Sequence, residues 1–136
     1  MRYLGLDLGT TTLGVAISDK TNTIASPLKL IKFAKEDYES ALEQLLNLTK
    51  EYNITQVVLG LPKNMDNSLG FASNRSLKFK EMLENIGLIV HLEDERLTTV
   101  EAINILKNNG MKKINKSKKT DIVASQLILE SFLRKL

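Results

Sequence analysis

An acidic residue inside an apolar strand constrains this chain more than any other feature. In Arg2-Tyr-Leu-Gly-Leu-Asp7-Leu8, strict alternation places Arg2, Leu4, Leu6 and Leu8 on one face and Tyr3, Gly5 and Asp7 on the other. A carboxylate in such a strand is costly to desolvate unless something positive meets it. Arg2 is the only basic residue close by in sequence, so Asp7 asks for a bound cation, a distant basic partner or a ligand. Gly9-Thr10-Thr11-Thr12 follows as a turn, and Leu13-Gly14-Val-Ala-Ile-Ser18 is a second apolar run ending at Asp19. The two runs predict a hairpin.

The rest of the chain predicts one α/β domain spanning residues 1–136. A third strand covers Thr23–Lys32, and Pro27 within it marks an edge position or a bulge. Tyr38, Leu42, Leu45, Leu46 and Thr49 give helical periodicity over Lys35–Tyr52. Gln56–Gly60 is a short apolar run suited to a buried parallel strand. A loop from Gly60 to Gly70 precedes a helix over Phe71–Asn85, stopped before Gly87. Leu88–Leu92 is another strand, and Leu97-Thr98-Thr99 opens a helix that ends at Asn108-Asn109-Gly110. Met111–Lys119 reads as a mobile loop, and a last helix runs from about Thr120 to the end. This order gives a mixed sheet with helices.

Composition excludes more than it selects. The chain has no cysteine, which removes disulfides and thiolate metal sites and suits a reducing cytoplasm. No run approaches the roughly 18 apolar residues of a membrane span. Net charge is +3, and six lysines between Lys107 and Lys119 stand without an Asp or Glu among them. Such a cluster suits an acidic partner, and nucleic acid above all.

Ligands in open α/β sheets bind beyond the carboxyl ends of the parallel strands. Asp7 lies near that end of the first strand, and Asp94 and Glu95 lie just past that end of the last. Alternation from Leu88 puts Ile89, His91, Glu93 and Glu95 on one side and Asp94 on the other, and spacing alone does not choose between Asp94 and Glu95. Asp121 shares a helix direction with Ile128 and Phe132, so it faces inward. Three converging acids repel unless cations sit among them, and an all-oxygen set suits Mg²⁺ or Mn²⁺. A pair of such ions activates water and stabilises a leaving oxygen in phosphodiester cleavage.

At these residues the chain resembles the YqgF/RuvX family of the RNase H-like superfamily, described as Holliday-junction resolvases or pre-16S rRNA nucleases. The likeness rests on Leu6–Asp19, on Val58–Pro62 with Asn64-Met-Asp66, on Asp94–Ala102, and on Lys119-Thr-Asp121 with Ala124 and Ile128–Ser131. It implies an RNase H-like fold, a mixed five-stranded sheet flanked by helices. It implies Asp7, Glu95 and Asp121 as catalytic, metal-binding acids, with Asp94 as a helper. It departs from some RNase H-like nucleases at Ala124, where they carry a fourth acid. Thr10, Thr11 and Thr12 with the Gly9 amide are candidates to hold a phosphate or a metal-bound water, with tight-turn chemistry alone as the alternative. Lys63, Asn64, Arg75, Arg96, Lys112, Lys113, Lys116, Lys118 and Lys119 are candidate substrate contacts, and Lys78 accompanies Arg75. The implied substrate is precursor 16S rRNA or branched DNA. Two other readings stand beside a nuclease: an ATP-binding module built on Asp7-Leu-Gly-Thr-Thr, and a non-catalytic RNA-binding assembly factor. Nothing in the sequence fixes an oligomeric state.

Overall fold

The computed structural model describes residues 1–62, 70–94 and 116–136. Three strands, β1 (Tyr3–Leu8), β2 (Thr12–Ser18) and β3 (Ala25–Lys32), form an antiparallel meander. Helix α1 (Tyr38–Glu51) leads to β4 (Gln56–Leu61), and α2 (Phe71–Asn85) leads to β5 (Ile89–Asp94). Helix α3 (Lys116–Leu133) closes the order. The sheet runs β3-β2-β1-β4-β5, with β4 parallel to both β1 and β5. This is the mixed, helix-flanked five-stranded sheet of an RNase H-like fold.

Alternation along β1 sorts the core into two layers. Leu4, Leu6 and Leu8 join Leu13, Val15, Val57 and Leu59 beneath α1 and α2. Ala16, Ala25 and Val58 pack on the opposite face against Ile128, Leu129 and Leu133 of α3. Arg2 keeps the phase of the first layer, its guanidinium 5.4 Å from the Tyr52 ring centroid at the end of α1. Gly5 belongs to the second layer for a steric reason. A Cβ there would stand 2.6 Å from the Ser125 carbonyl oxygen and 2.7 Å from Leu129 Cβ, so only glycine lets α3 lie this close.

Pro27 sits on an edge strand, opposite Ala16 where the β2–β3 register shifts, so both of its expected roles hold at once. Helix α1 buries Ala41, Leu45, Leu48 and Thr49 rather than Leu46, a face turned slightly from the one its periodicity suggests. Its start is capped by the Asp37 carboxylate, which accepts from the Ser40 amide at 3.3 Å. Helix α2 ends in Gly87 at φ +95, with the Leu88 amide returning to the Leu83 carbonyl at 3.2 Å. The Leu97–Lys107 helix lies outside the described residues. No described helix is long and apolar enough to cross a membrane.

Candidate active site

β1, β4 and β5 all point their carboxyl ends to one edge of the sheet, and Asp7 stands there on the α3 face, half-buried. Its neighbours on that face are glycines. Gly5 precedes it by two residues, Gly14 of β2 pairs with it directly, and Gly60 comes level with it when the Leu6–Leu59 ladder continues by one residue. No side chain from either adjacent strand therefore rises beside the Asp7 carboxylate. The two strand positions that flank Asp7 are backbone alone.

Gly60 pairs in turn with Glu93 of β5, so Asp7 and Glu93 stand at one level with a side-chain-free position between them. Two strand spacings put their Cα atoms about 10 Å apart. Glu93 is only 6% exposed, and its carboxylate is ion-paired with the ammonium of Lys135, just beyond α3. The sequence reading did not single it out. Its sign was there in the phase of β5, whose other inward residue, His91, packs 4.8 Å from the Phe132 ring and 6.1 Å from Tyr3. His91 Nε2 also meets Gln56 Oε1 at 2.8 Å, which accounts for this histidine structurally. Asp94 pairs with Leu61 one step further on and so belongs to the face opposite Asp7. Glu95 lies outside the described residues.

Asp121 lies within α3, the helix that covers the Asp7 face of the sheet, four residues before Ser125 and seven before Ile128; its side chain lies outside the described residues. Ala124, where a fourth acid would stand, is buried and carries no donor. One expectation needs correcting. Helix α3 begins at Lys116, so Lys116, Lys118 and Lys119 are on a helix and not in a loop, and Asp121 is inside its second turn. Lysine is a good helix former, and an all-polar turn shows no apolar periodicity to announce it. Lys112 and Lys113 lie outside the described residues.

The Gly-Thr turn is held more tightly than its composition suggests. The Gly9 amide donates to the Thr12 carbonyl at 2.7 Å, so it closes the turn and does not face a ligand. The Thr11 carbonyl accepts from the Phe33 amide at 3.0 Å, and the Thr10 carbonyl from the Glu36 amide at 2.8 Å. The segment between β3 and α1 is thus fastened to the turn that follows β1. Arg75 lies on α2, whose first turn is tied to the end of β4 by the Ser73 hydroxyl donating to the Pro62 carbonyl. It therefore reaches the same sheet edge from the other face. Lys63, Asn64 and Arg96 lie outside the described residues.

The proposed ligands are all carboxylate oxygens, the set that a hard divalent cation prefers. Among the described residues no three His, Cys, Asp or Glu side chains gather as a metal site. Asp7 is the one member of the proposed triad whose side chain is described.

Comparison with known proteins follows the same lines. Residues 1–135 match the family described as "RuvX: Holliday junction resolvase". A protein of Streptococcus pyogenes serotype M5 named "Putative pre-16S rRNA nuclease" is 43% identical over 137 residues, covering 99% of each chain. A protein of the same name from serotype M49 matches equally. Among solved structures, Thermus thermophilus RuvC in complex with Holliday junction substrate superposes with a TM-score of 0.60 at 17% identity, covering 99% of this chain and 96% of that one. The fowlpox virus Holliday junction resolvase gives 0.59 at 21%, with both chains fully covered. At these identities the two structures speak for the fold.

Proposed function

The chain belongs to the RuvX (YqgF) family of RNase H-like proteins, and from that membership we propose that it is a metal-dependent nuclease that processes the 5′ end of precursor 16S rRNA. The observation that carries the reading is Asp7 itself, a carboxylate at the carboxyl edge of the sheet with glycine on both sides. The rRNA substrate is taken from the relatives of 43% identity. The family's own description favours branched DNA as the second reading.

In this reading Asp7, Glu95 and Asp121 hold Mg²⁺ or Mn²⁺, and when bound the ion supplies a lowered-pKa water and charge neutralisation at the leaving oxygen. Hydrolysis forms a bond from water oxygen to phosphorus as the bond to the leaving oxygen breaks. The residues of the chain do the positioning. Gly14 and Gly60, at the strand positions beside Asp7, add no side chain of their own next to its carboxylate. Lys116, Lys118 and Lys119 at the start of α3, with Lys112 and Lys113 before them, neutralise flanking phosphates. Thr10 and Thr11 form the rim, and backbone contacts of this kind position a strand without reading its sequence.

The test incubates the protein with precursor rRNA, single-stranded RNA and four-way DNA junctions, each with Mn²⁺, Mg²⁺ or EDTA. Metal-dependent cleavage of the precursor, lost in Asp7→Asn and Asp121→Asn, is expected. Cleavage persisting in either variant would sink the site. RNA binding with no cleavage under any metal would replace the enzyme with an assembly factor, and tight Mg-ATP binding would replace it with a nucleotide-binding module.

A further inference from the structure

A second feature lies at the same sheet edge, on the face away from Asp7. The start of α1 and the outer side of α2 enclose a groove of about 610 Å³, bordered by Glu36, Tyr38, Phe71, Arg75, Lys78 and Glu81. Phe71 is 91% exposed, an unusual setting for the largest kind of apolar side chain. Phe71, Arg75 and Lys78 follow at i, i+4 and i+7 on α2, a stripe about 10 Å long on one helix face. Among the described residues neither Arg75 nor Lys78 makes an ion pair or hydrogen bond. An uncovered ring beside two cations that form no ion pair is the chemistry that recognises an unstacked nucleotide, base on the ring and phosphate on the cations.

Both walls hang from the carboxyl edge of the sheet. Glu36 is fastened through its amide to Thr10, and α2 through Ser73 to Pro62. In the nuclease reading a strand with one phosphate at Asp7 would continue over the Thr10–Thr11 turn towards this groove. We propose that the groove holds an unpaired nucleotide of that strand, stacked on Phe71 with its phosphate on Arg75 and Lys78. Glu36 and Glu81 repel phosphate, so the backbone of the strand runs along the cations of α2. Glu36 stays in place through a left-handed backbone conformation, φ 63, and the hydrogen bond of its amide to Thr10. The proposal names the flank of the substrate that the nuclease reading implies: single-stranded, because a base within a duplex has both faces covered by its stacked neighbours and cannot stack on the Phe71 ring.

Binding in EDTA tests this apart from cleavage. Fluorescence anisotropy would follow a labelled single-stranded hexanucleotide, as RNA and as DNA, and a blunt duplex of the same length. Phe71→Ala should weaken single-strand binding about 5- to 100-fold and leave duplex binding unchanged. Phe71→Trp should restore it, and Arg75→Gln should weaken it and reduce the salt slope by about one. Because Phe71 is exposed, circular dichroism of Phe71→Ala should match the wild type. Single-strand affinity of Phe71→Ala within twofold of wild type would overturn the proposal, as would an equal loss on duplex. A wild type that cleaves nothing yet shows the Phe71 effect keeps the groove and removes the nuclease. A wild type that cleaves normally, with Phe71→Ala binding unchanged, does the reverse.

Discussion

Two aspartates close the two ends of β-strands in one hairpin, and their surroundings differ completely. Asp19, just past β2, accepts hydrogen bonds from the Thr23 amide at 2.8 Å, the Ile24 amide at 3.1 Å and the Thr21 hydroxyl at 2.7 Å. Every donor comes from within five residues, and the carboxylate is spent on holding its own turn. Asp7, at the other end, has glycine two residues before it in β1 and at the neighbouring positions of β2 and β4. One acid is wrapped by the local chain; beside the other the neighbouring strand positions carry no side chain. The same functional group thus serves structure at one edge and, in the reading advanced above, chemistry at the other.

Exchanging each acid for its amide gives the widest separation. Asp7→Asn should lower precursor cleavage by at least about 100-fold while shifting unfolding free energy by less than about 1 kcal/mol. Asp19→Asn should leave the cleavage rate within about twofold of wild type, since its donors lie at the opposite end of the sheet. Parallel single-turnover assays and urea titrations of the two variants check both statements. Comparable activity losses would erase the distinction.

The next effect is on the glycines that make the Asp7 environment. Gly5→Ala places a Cβ against the Ser125 carbonyl and Leu129, so α3 must move outward. Overpacking of this kind costs about 1–3 kcal/mol, read as a lower urea midpoint at unchanged m-value. Activity should fall beyond what the lost stability explains, because α3 carries Asp121. An alanine variant as stable as wild type would mean that α3 yields at no cost.

Glu93 sharpens the contrast from within the site edge. It is level with Asp7 on the same face, yet it is buried with an ammonium on it. Lys135→Met leaves that carboxylate without its cation. The cost should be about 1–3 kcal/mol, less than for a fully buried pair because the lysine side chain is 65% exposed. Glu93→Gln in the Lys135→Met background should recover most of it. If the single variant unfolds like wild type, the pair contributes nothing and Glu93 is open to another role.

How much of this was legible in advance follows from the range of the interactions. Alternation over residues 2–8 is local, so the two faces of β1 and the exceptional position of Asp7 could be read directly. Its glycine surroundings could not, since Gly14 and Gly60 become neighbours of Asp7 only through an antiparallel and a parallel pairing. The phase of β5 was readable and held through Glu93 and Asp94, but the pairing of Glu93 depended on Lys135, 42 positions away. The early start of α3 escaped because Lys116–Thr120 offers a helix no apolar face to count. The groove escaped for another reason: α1 and α2 become its two walls only after both have packed on the sheet.

The smallest effect concerns the pH response of the two acids. The backbone amide of Ile24 chiefly, then the Thr21 hydroxyl and the Thr23 amide, hold the Asp19 carboxyl below the usual carboxylate range. A lowered folded-state value means that the unfolded chain takes up the proton first as pH falls. The contribution of Asp19 is therefore complete above the ordinary aspartate value and is lost as pH drops through the lower folded-state value. Asp19 stands in a surface turn and its donors are all local, so the loss should appear as local opening of the Asp19–Ile24 turn well before the sheet unfolds. Carboxyl ¹³C shifts should give a midpoint for Asp19 lower than that of an unstructured aspartate, and the Thr23 and Ile24 amide resonances should move with the same midpoint. In the Asp19→Asn variant those amide shifts should be flat over the same acid range. An ordinary Asp19 midpoint, or amide shifts that titrate without it, would show that the turn does not depend on the carboxylate, and the structural half of the comparison would fail.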